Sequence, residues 1–125
     1  MIAIPLDNKD ATTISTLYGQ APYFALLDEV GGSFTVLENS ACGNGVKGVE
    51  FLKSKGIDGT VFYHMGEGLY KMYAQDGVTV FSVQKEFMSL DKIFLSLQKE
   101  ELVKLDKSNY KELLDAGTCE SKCGC

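Results

Sequence analysis

The chain has one histidine, two prolines, no tryptophan and no excess of positive charge. Each scarcity removes a class of function. The formal net charge is −5, and the lysines are scattered among Asp and Glu, so the basic face of a nucleic-acid binder is missing. No apolar run approaches the roughly 20 residues of a membrane-spanning helix. Met1-Ile2-Ala3-Ile4-Pro5 reads as a first strand and not as a signal peptide. No Ser-His-Asp or Cys-His arrangement has a diagnostic spacing. No glycine-rich loop ends in the Gly-Lys-Ser/Thr of a phosphate-binding loop. Internal repeats, low-complexity segments and domain linkers are absent too. What remains is an ordinary soluble composition, 45% hydrophobic and 23% charged over 125 residues, enough for one domain with its own core. The expected setting is the cytoplasm, where thiols stay reduced.

Cysteine is the unusual presence. Three of the four lie in the last seven residues, as Cys119-x3-Cys123-x-Cys125, and the fourth is Cys42. Reduced thiolates are soft ligands that suit Zn, Cu(I) and iron–sulfur clusters. On a helix Cys119 and Cys123 share a face, and on an extended segment Cys123 and Cys125 do. Three sulfurs on one metal need a turn, which Gly124 permits. A tetrahedral site would still need a fourth ligand from elsewhere. The plainer alternatives are a solvated terminus with idle thiols, or a disulfide formed on handling.

Periodicity gives the element order. Ile2–Leu6 suits a buried strand. Tyr23–Asp28 and Ser33–Glu38 flank Gly31-Gly32 and read as a β-hairpin. Val46, Val49 and Leu52 recur at helical spacing, with Gly56 placed to stop the helix. Gly59–Tyr63 is a strand, Leu69, Met72 and Tyr73 mark a short helix ending near Gly77, and Val78–Val83 is another strand. Leu90, Ile93, Phe94 and Leu97 form an amphipathic helix with Ser89 as N-cap, and Leu102 and Leu105 extend its pattern. A last helix is expected from Ser108 to Ala116, before the tail. The order βββαβαβα implies a mixed sheet with helices on both faces. Right-handed crossovers place the strands at 59–63 and 78–83 beside the first one.

In such a sheet ligands bind at the carboxyl ends of the parallel strands. That selects the loops after Pro5, Tyr63 and Val83, joined by Asn39–Gly45. Cys42 sits in the last of these, at a helix start that lowers thiol pKa; the alternative is a small, buried, inert cysteine. His64 follows the Gly59–Tyr63 strand and faces the same crevice as a candidate ligand, or as an ordinary polar residue at a strand end. Asp7, Glu38 and Glu67 are the carboxylates a Mg²⁺ enzyme would need to gather there, although no motif pairs them.

Ile14-Ser-Thr-Leu-Tyr-Gly-Gln-Ala-Pro-Tyr-Phe24 resembles the S-x-x-F-G-x-A-x-Y-F signature of the dinitrogenase iron–molybdenum cofactor biosynthesis family, the NifX-like proteins. Met1–Pro5, Gly45–Gly59, Phe62-Tyr-His-Met-Gly66 and Gly77-Val-Thr-Val-Phe81 extend the likeness over about the first hundred residues. The resemblance implies a three-layer, ribonuclease-H-like α/β fold: a mixed five-stranded sheet with one antiparallel strand, occupying residues 1–105, with 106–125 as a C-terminal helix and Cys-rich tail. It implies a non-catalytic carrier of a metal cluster or metal cofactor, iron–molybdenum or iron–sulfur in type, partnered by cofactor-assembly proteins. Cys42, His64, Gly66, Tyr18 and Gly19 become the cofactor-binding candidates, and Cys119, Cys123 and Cys125 the metal ligands. Where relatives carry a histidine before the aromatic-Gly pair, this chain has Leu17. The competing readings are a redox-responsive thiol module, a Mg-dependent enzyme on the same scaffold, and a monomer or weak homodimer pairing through Tyr18, Tyr23 or Tyr70.

Overall fold

β1 (Ile2–Leu6) is buried along its whole length, so both faces of the sheet must be covered at its centre. The computed structural model describes residues 1–16, 18, 21–39, 45–84, 86–106 and 108–110, and in it both faces are covered. β2 (Tyr23–Leu27) and β3 (Phe34–Glu38) form an antiparallel hairpin on one side of β1. β4 (Gly59–Phe62) and β5 (Thr79–Ser82) run parallel to β1 on the other side, and β6 (Val103–Lys104) closes the sheet antiparallel to β5. The strand order is β3-β2-β1-β4-β5-β6.

Period-two alternation sorts the side chains into two cores. Ala3, Phe24, Leu26, Phe62 and Val80 face α1 (Gly45–Ser54) and α2 (Glu67–Gln75), which supply Val49, Leu52, Leu69 and Tyr73. Ile2, Ile4, Leu6, Ala25, Leu27, Val61 and Val83 face α3 (Leu90–Gln98), which supplies Leu90 and Ile93. Among the described residues two helices thus cover one face and a single nine-residue helix the other. Gly56 and Gly77 take the left-handed conformation, φ 80° and 75°, that releases the chain from α1 and α2. Ser89 caps α3, its hydroxyl accepting the Lys92 N–H at 3.1 Å.

The expected five-stranded sheet has six strands, and two of them, β2 and β6, run against β1. Helical periodicity carries α3 through Leu102 and Leu105, but the helix ends at Gln98. Glu100 turns left-handed (φ 56°), Glu101 N–H closes on Ser96 O at 2.8 Å, and the chain reverses. Residues 103–104 then pair with β5, and Leu105 is buried under the α1/α2 layer with its N–H on Val80 O at 2.9 Å. A strand of two residues is too short to show alternation. Gln84 (φ 53°) is also left-handed, so the two bracket α3. Beyond Tyr110 the expected last helix lies outside the described residues. No helix among the described residues is long and apolar enough to cross a membrane.

Candidate functional site

The carboxyl ends of β1 and β4 separate because of Pro5. On β1 the odd residues turn their carbonyls to the β4 side. Met1 O accepts from Asp58 N–H (3.0 Å), Ala3 O from the Thr60 hydroxyl (2.9 Å) and Pro5 O from Ser15 N–H (2.8 Å). Pro5 has no N–H to offer on that side, so the β1–β4 ladder stops after Ile2↔Gly59 and Ala3↔Thr60. Residues 12–16 take the place β4 leaves. Ile14 N–H bonds Met88 O (3.0 Å), Leu90 N–H bonds Thr12 O (2.8 Å), and the Ser15 hydroxyl donates to Asp7 at 2.6 Å. The loops after β1 and β5 are thereby stitched together over the divergence.

The segment that follows is anchored by Tyr18, which is buried on the α1/α2 side. Its ring meets Phe24 and Tyr73 edge-on, with centroids 5.3 and 6.2 Å away. Its hydroxyl lies 2.5 Å from Thr60 Oγ1 and 2.7 Å from the Tyr73 hydroxyl. Thr60 spends its one proton on Ala3 O, so Tyr18 must donate to Thr60 and accept from Tyr73. The result is a single-direction chain: Tyr73 to Tyr18 to Thr60 to Ala3. Burial above all raises the pKa of both tyrosines beyond the ordinary value, so both stay protonated at neutral pH.

Asn39, where the Cys42 loop begins, donates its side-chain amide to Ala21 O at 2.9 Å and its N–H to Pro22 O at 2.8 Å. Asn39 is therefore tied to Ala21 and Pro22, just before β2. Three strand spacings, about 14 Å, separate the ends of β3 and β4. The loops after both strands lead to helices on the same face, α1 and α2. His64 is exposed; its neighbour Tyr63 packs toward the α3 core and Met65 is fully buried in the other. Gly66 is the N-cap of α2 and has no side-chain cap; because the helix starts here, its positive end faces this rim.

The chain beyond β6 returns to α2. Asp106 organises a turn by accepting from Ser108 N–H and hydroxyl and from Asn109 N–H, and these bonds lower its pKa. Tyr110 then stacks on Tyr70 at 5.1 Å and 19° between planes. Tyr70 is one helical turn past Gly66, its N–H bonded to Gly66 O. Tyr110, the last described residue, thus rests on the helix that begins beside His64.

Of the site residues expected from sequence, Tyr18, His64 and Gly66 are placed at this end of the sheet. Gly19, Cys42, Cys119, Cys123 and Cys125 lie outside the described residues, as does Leu17. Asp7, Glu38 and Glu67 belong to no metal-holding group; among the described residues no three His, Cys, Asp or Glu side chains are so placed. Tyr18 and Tyr70 are buried. Sequence reasoning passed over one feature of the rim. Phe87, 62% exposed, leans on Tyr63 with ring centroids 5.3 Å apart. A large aromatic in the otherwise polar run Gln84-Lys-Glu-Phe87 was the available signal. The open depression lined by Glu29, Phe94, Leu97 and Gln98 is at the opposite end of the sheet.

The fold recurs in solved structures. A candidate NifB protein from Thermotoga is 27% identical, with a TM-score of 0.69 over 83% of this chain and 91% of that one. The apo form of the orange protein from Desulfovibrio gigas shares the fold at 13% identity, with a TM-score of 0.72 over 83% of this chain and 91% of its own. A candidate dinitrogenase from Methanocaldococcus jannaschii does so at 18%, with a TM-score of 0.64 over 84% and 93% of the two chains. Among curated proteins none matches. The sequence profile described as dinitrogenase iron–molybdenum cofactor matches residues 1–100, and the chain belongs to that family.

Proposed function

We propose that this chain binds a metal cluster or metal cofactor as cargo, catalyses no reaction on it, and passes it to cofactor-assembly proteins in the cytoplasm. The observation that carries this reading is the family match across residues 1–100. The rim geometry supports it. Residues 12–16 fill the divergence between β1 and β4, so cargo would rest on an open edge and not in a closed pocket. Such a seat suits a group that must be handed on. His64 offers one nitrogen donor there, and softer donors would come from Cys42 and from Cys119, Cys123 and Cys125. The root of the tail at Tyr110 favours this. Nine residue steps lead from it to Cys119, a reach of up to about 30 Å in extended chain.

The test is anaerobic purification and reconstitution with iron and sulfide, with and without molybdate, followed by metal analysis and visible absorption. Bound metal with sulfur-to-metal absorption is expected in the native chain. A Cys119→Ser/Cys123→Ser/Cys125→Ser variant and a Cys42→Ser variant should lose most of it, and His64→Ala should weaken retention. A colourless, metal-free protein after reconstitution overturns the reading.

A further inference from the structure

Among the described residues β3 is an outer strand of the sheet, and it lacks three of the devices that keep such edges from pairing, a lysine, a proline and a bulge. Its five residues, FTVLE, include no lysine and no proline. Its register with β2 is unbroken from Tyr23↔Glu38 to Leu27↔Phe34, so no bulge twists it away. Val36 is 40% exposed. The hairpin fixes which backbone groups point outward. Asp28 N–H bonds Ser33 O and Asn39 N–H bonds Pro22 O, so the odd residues of β3 face β2. Phe34, Val36 and Glu38 therefore turn their N–H and C=O groups to the open side.

We propose that this edge docks a second copy of the chain, β3 against β3, antiparallel about a twofold axis at Val36. That register alone pairs every outward residue with an outward residue: Phe34 with Glu38, Val36 with Val36, Glu38 with Phe34. Six backbone hydrogen bonds form and the two exposed valines meet at the centre. Charge also selects it. Sliding the strands until Glu38 meets Glu38 sets carboxylates opposite each other, whereas this register holds them about 13 Å apart, beyond the roughly 8 Å screening length at physiological salt. Pairing over five residues falls short of the roughly 1,200 Å² of a standard stable interface, so the dimer is weak and concentration-dependent. Two copies, each at −5, repel, so association should grow with salt.

The test is sedimentation of the full chain, metal-free and with reductant present so that thiols cannot link copies, from micromolar to millimolar concentration. Mass should rise from 13.7 kDa toward twice that value. Val36→Lys should weaken association about tenfold or more, by setting like charges opposite each other. Val30→Lys, at a 97% exposed hairpin position off the edge, should leave it unchanged. Amide exchange at Phe34, Val36 and Glu38 should slow with concentration, while Thr35 and Leu37 hold steady. A 13.7 kDa species at every concentration overturns the assignment and leaves the edge to a strand of another protein. A dimer indifferent to Val36→Lys, or protection elsewhere, overturns it too. None of these outcomes depends on cargo binding.

Discussion

Thr60→Val is nearly isosteric and removes one hydroxyl from the buried chain Tyr73 to Tyr18 to Thr60 to Ala3. Because the chain has a direction, its links are not equivalent. Without the Thr60 oxygen, the Tyr18 O–H at 2% exposure has no acceptor left, since the Tyr73 hydroxyl already donates to it. The loss is two hydrogen bonds, from Tyr18 and to Ala3 O, about 1 kcal/mol each, plus the cost of an unpaired buried donor, for about 3–4 kcal/mol in all. Tyr73→Phe removes only the terminal donor. Tyr18 keeps its own bond to Thr60, and the cost is about 1 kcal/mol. For a chain of this size the two should lower Tm by about 12–16 °C and about 4 °C respectively. Urea titration followed by tyrosine fluorescence measures both, because no tryptophan masks the signal. If Tyr73→Phe proves as costly as Thr60→Val, the proton order is wrong.

Three further outcomes are expected. Burial raises the pKa of Tyr18 and Tyr73 above the unfolded value of about 10, so their stabilisation is full below that pH and falls as pH rises above it, by up to about 2.7 kcal/mol per unit for the pair. Absorbance near 295 nm should show these two ionising only as the chain unfolds, and early titration of all six tyrosines would contradict this. Gly59→Ala drives a Cβ into Ile2 Cδ1, which should cost about 1–3 kcal/mol in urea denaturation; Ile2→Val removes that carbon, so the double variant should lose less than the sum of the singles. Ser89→Ala removes the α3 cap and should lower stability by about 1 kcal/mol, recovered by Ser89→Asp.

Most of the fold could be read because its signals are local. The Gly31-Gly32 turn, the stops at Gly56 and Gly77 and the Ser89 cap each act within a few residues, and all five major strands appear where alternation or apolar runs predicted them. β6 could not be read, because its two residues are specified by the edge of β5 and by a turn at Glu100 that overrides the helical spacing. The rim was legible in outline, since strand order alone selects its loops. The role of Pro5 was not, because the missing N–H matters only once the partner on that side is known. Nor was the Tyr18 network, whose links span 42 to 57 residues of sequence.

The unequal cover of the two faces has a consequence for how long the folded chain survives. The segment from Gln84 to Glu100 is held over its sheet face by one helix and by the bonds of Thr12 and Ile14 to Leu90 and Met88. At each end it carries a strained left-handed residue, about 1 kcal/mol or more apiece. Lifting this strip releases both strains, bares Ile4, Leu6 and Val61, and leaves the two-helix layer and its hydroxyl chain standing. Partial opening is therefore cheaper on this side than global unfolding, and it presents Lys92 and Lys99 to proteases and an uncovered β-surface to other molecules. Durability is set by the thinner layer, whatever the depth of the thicker one.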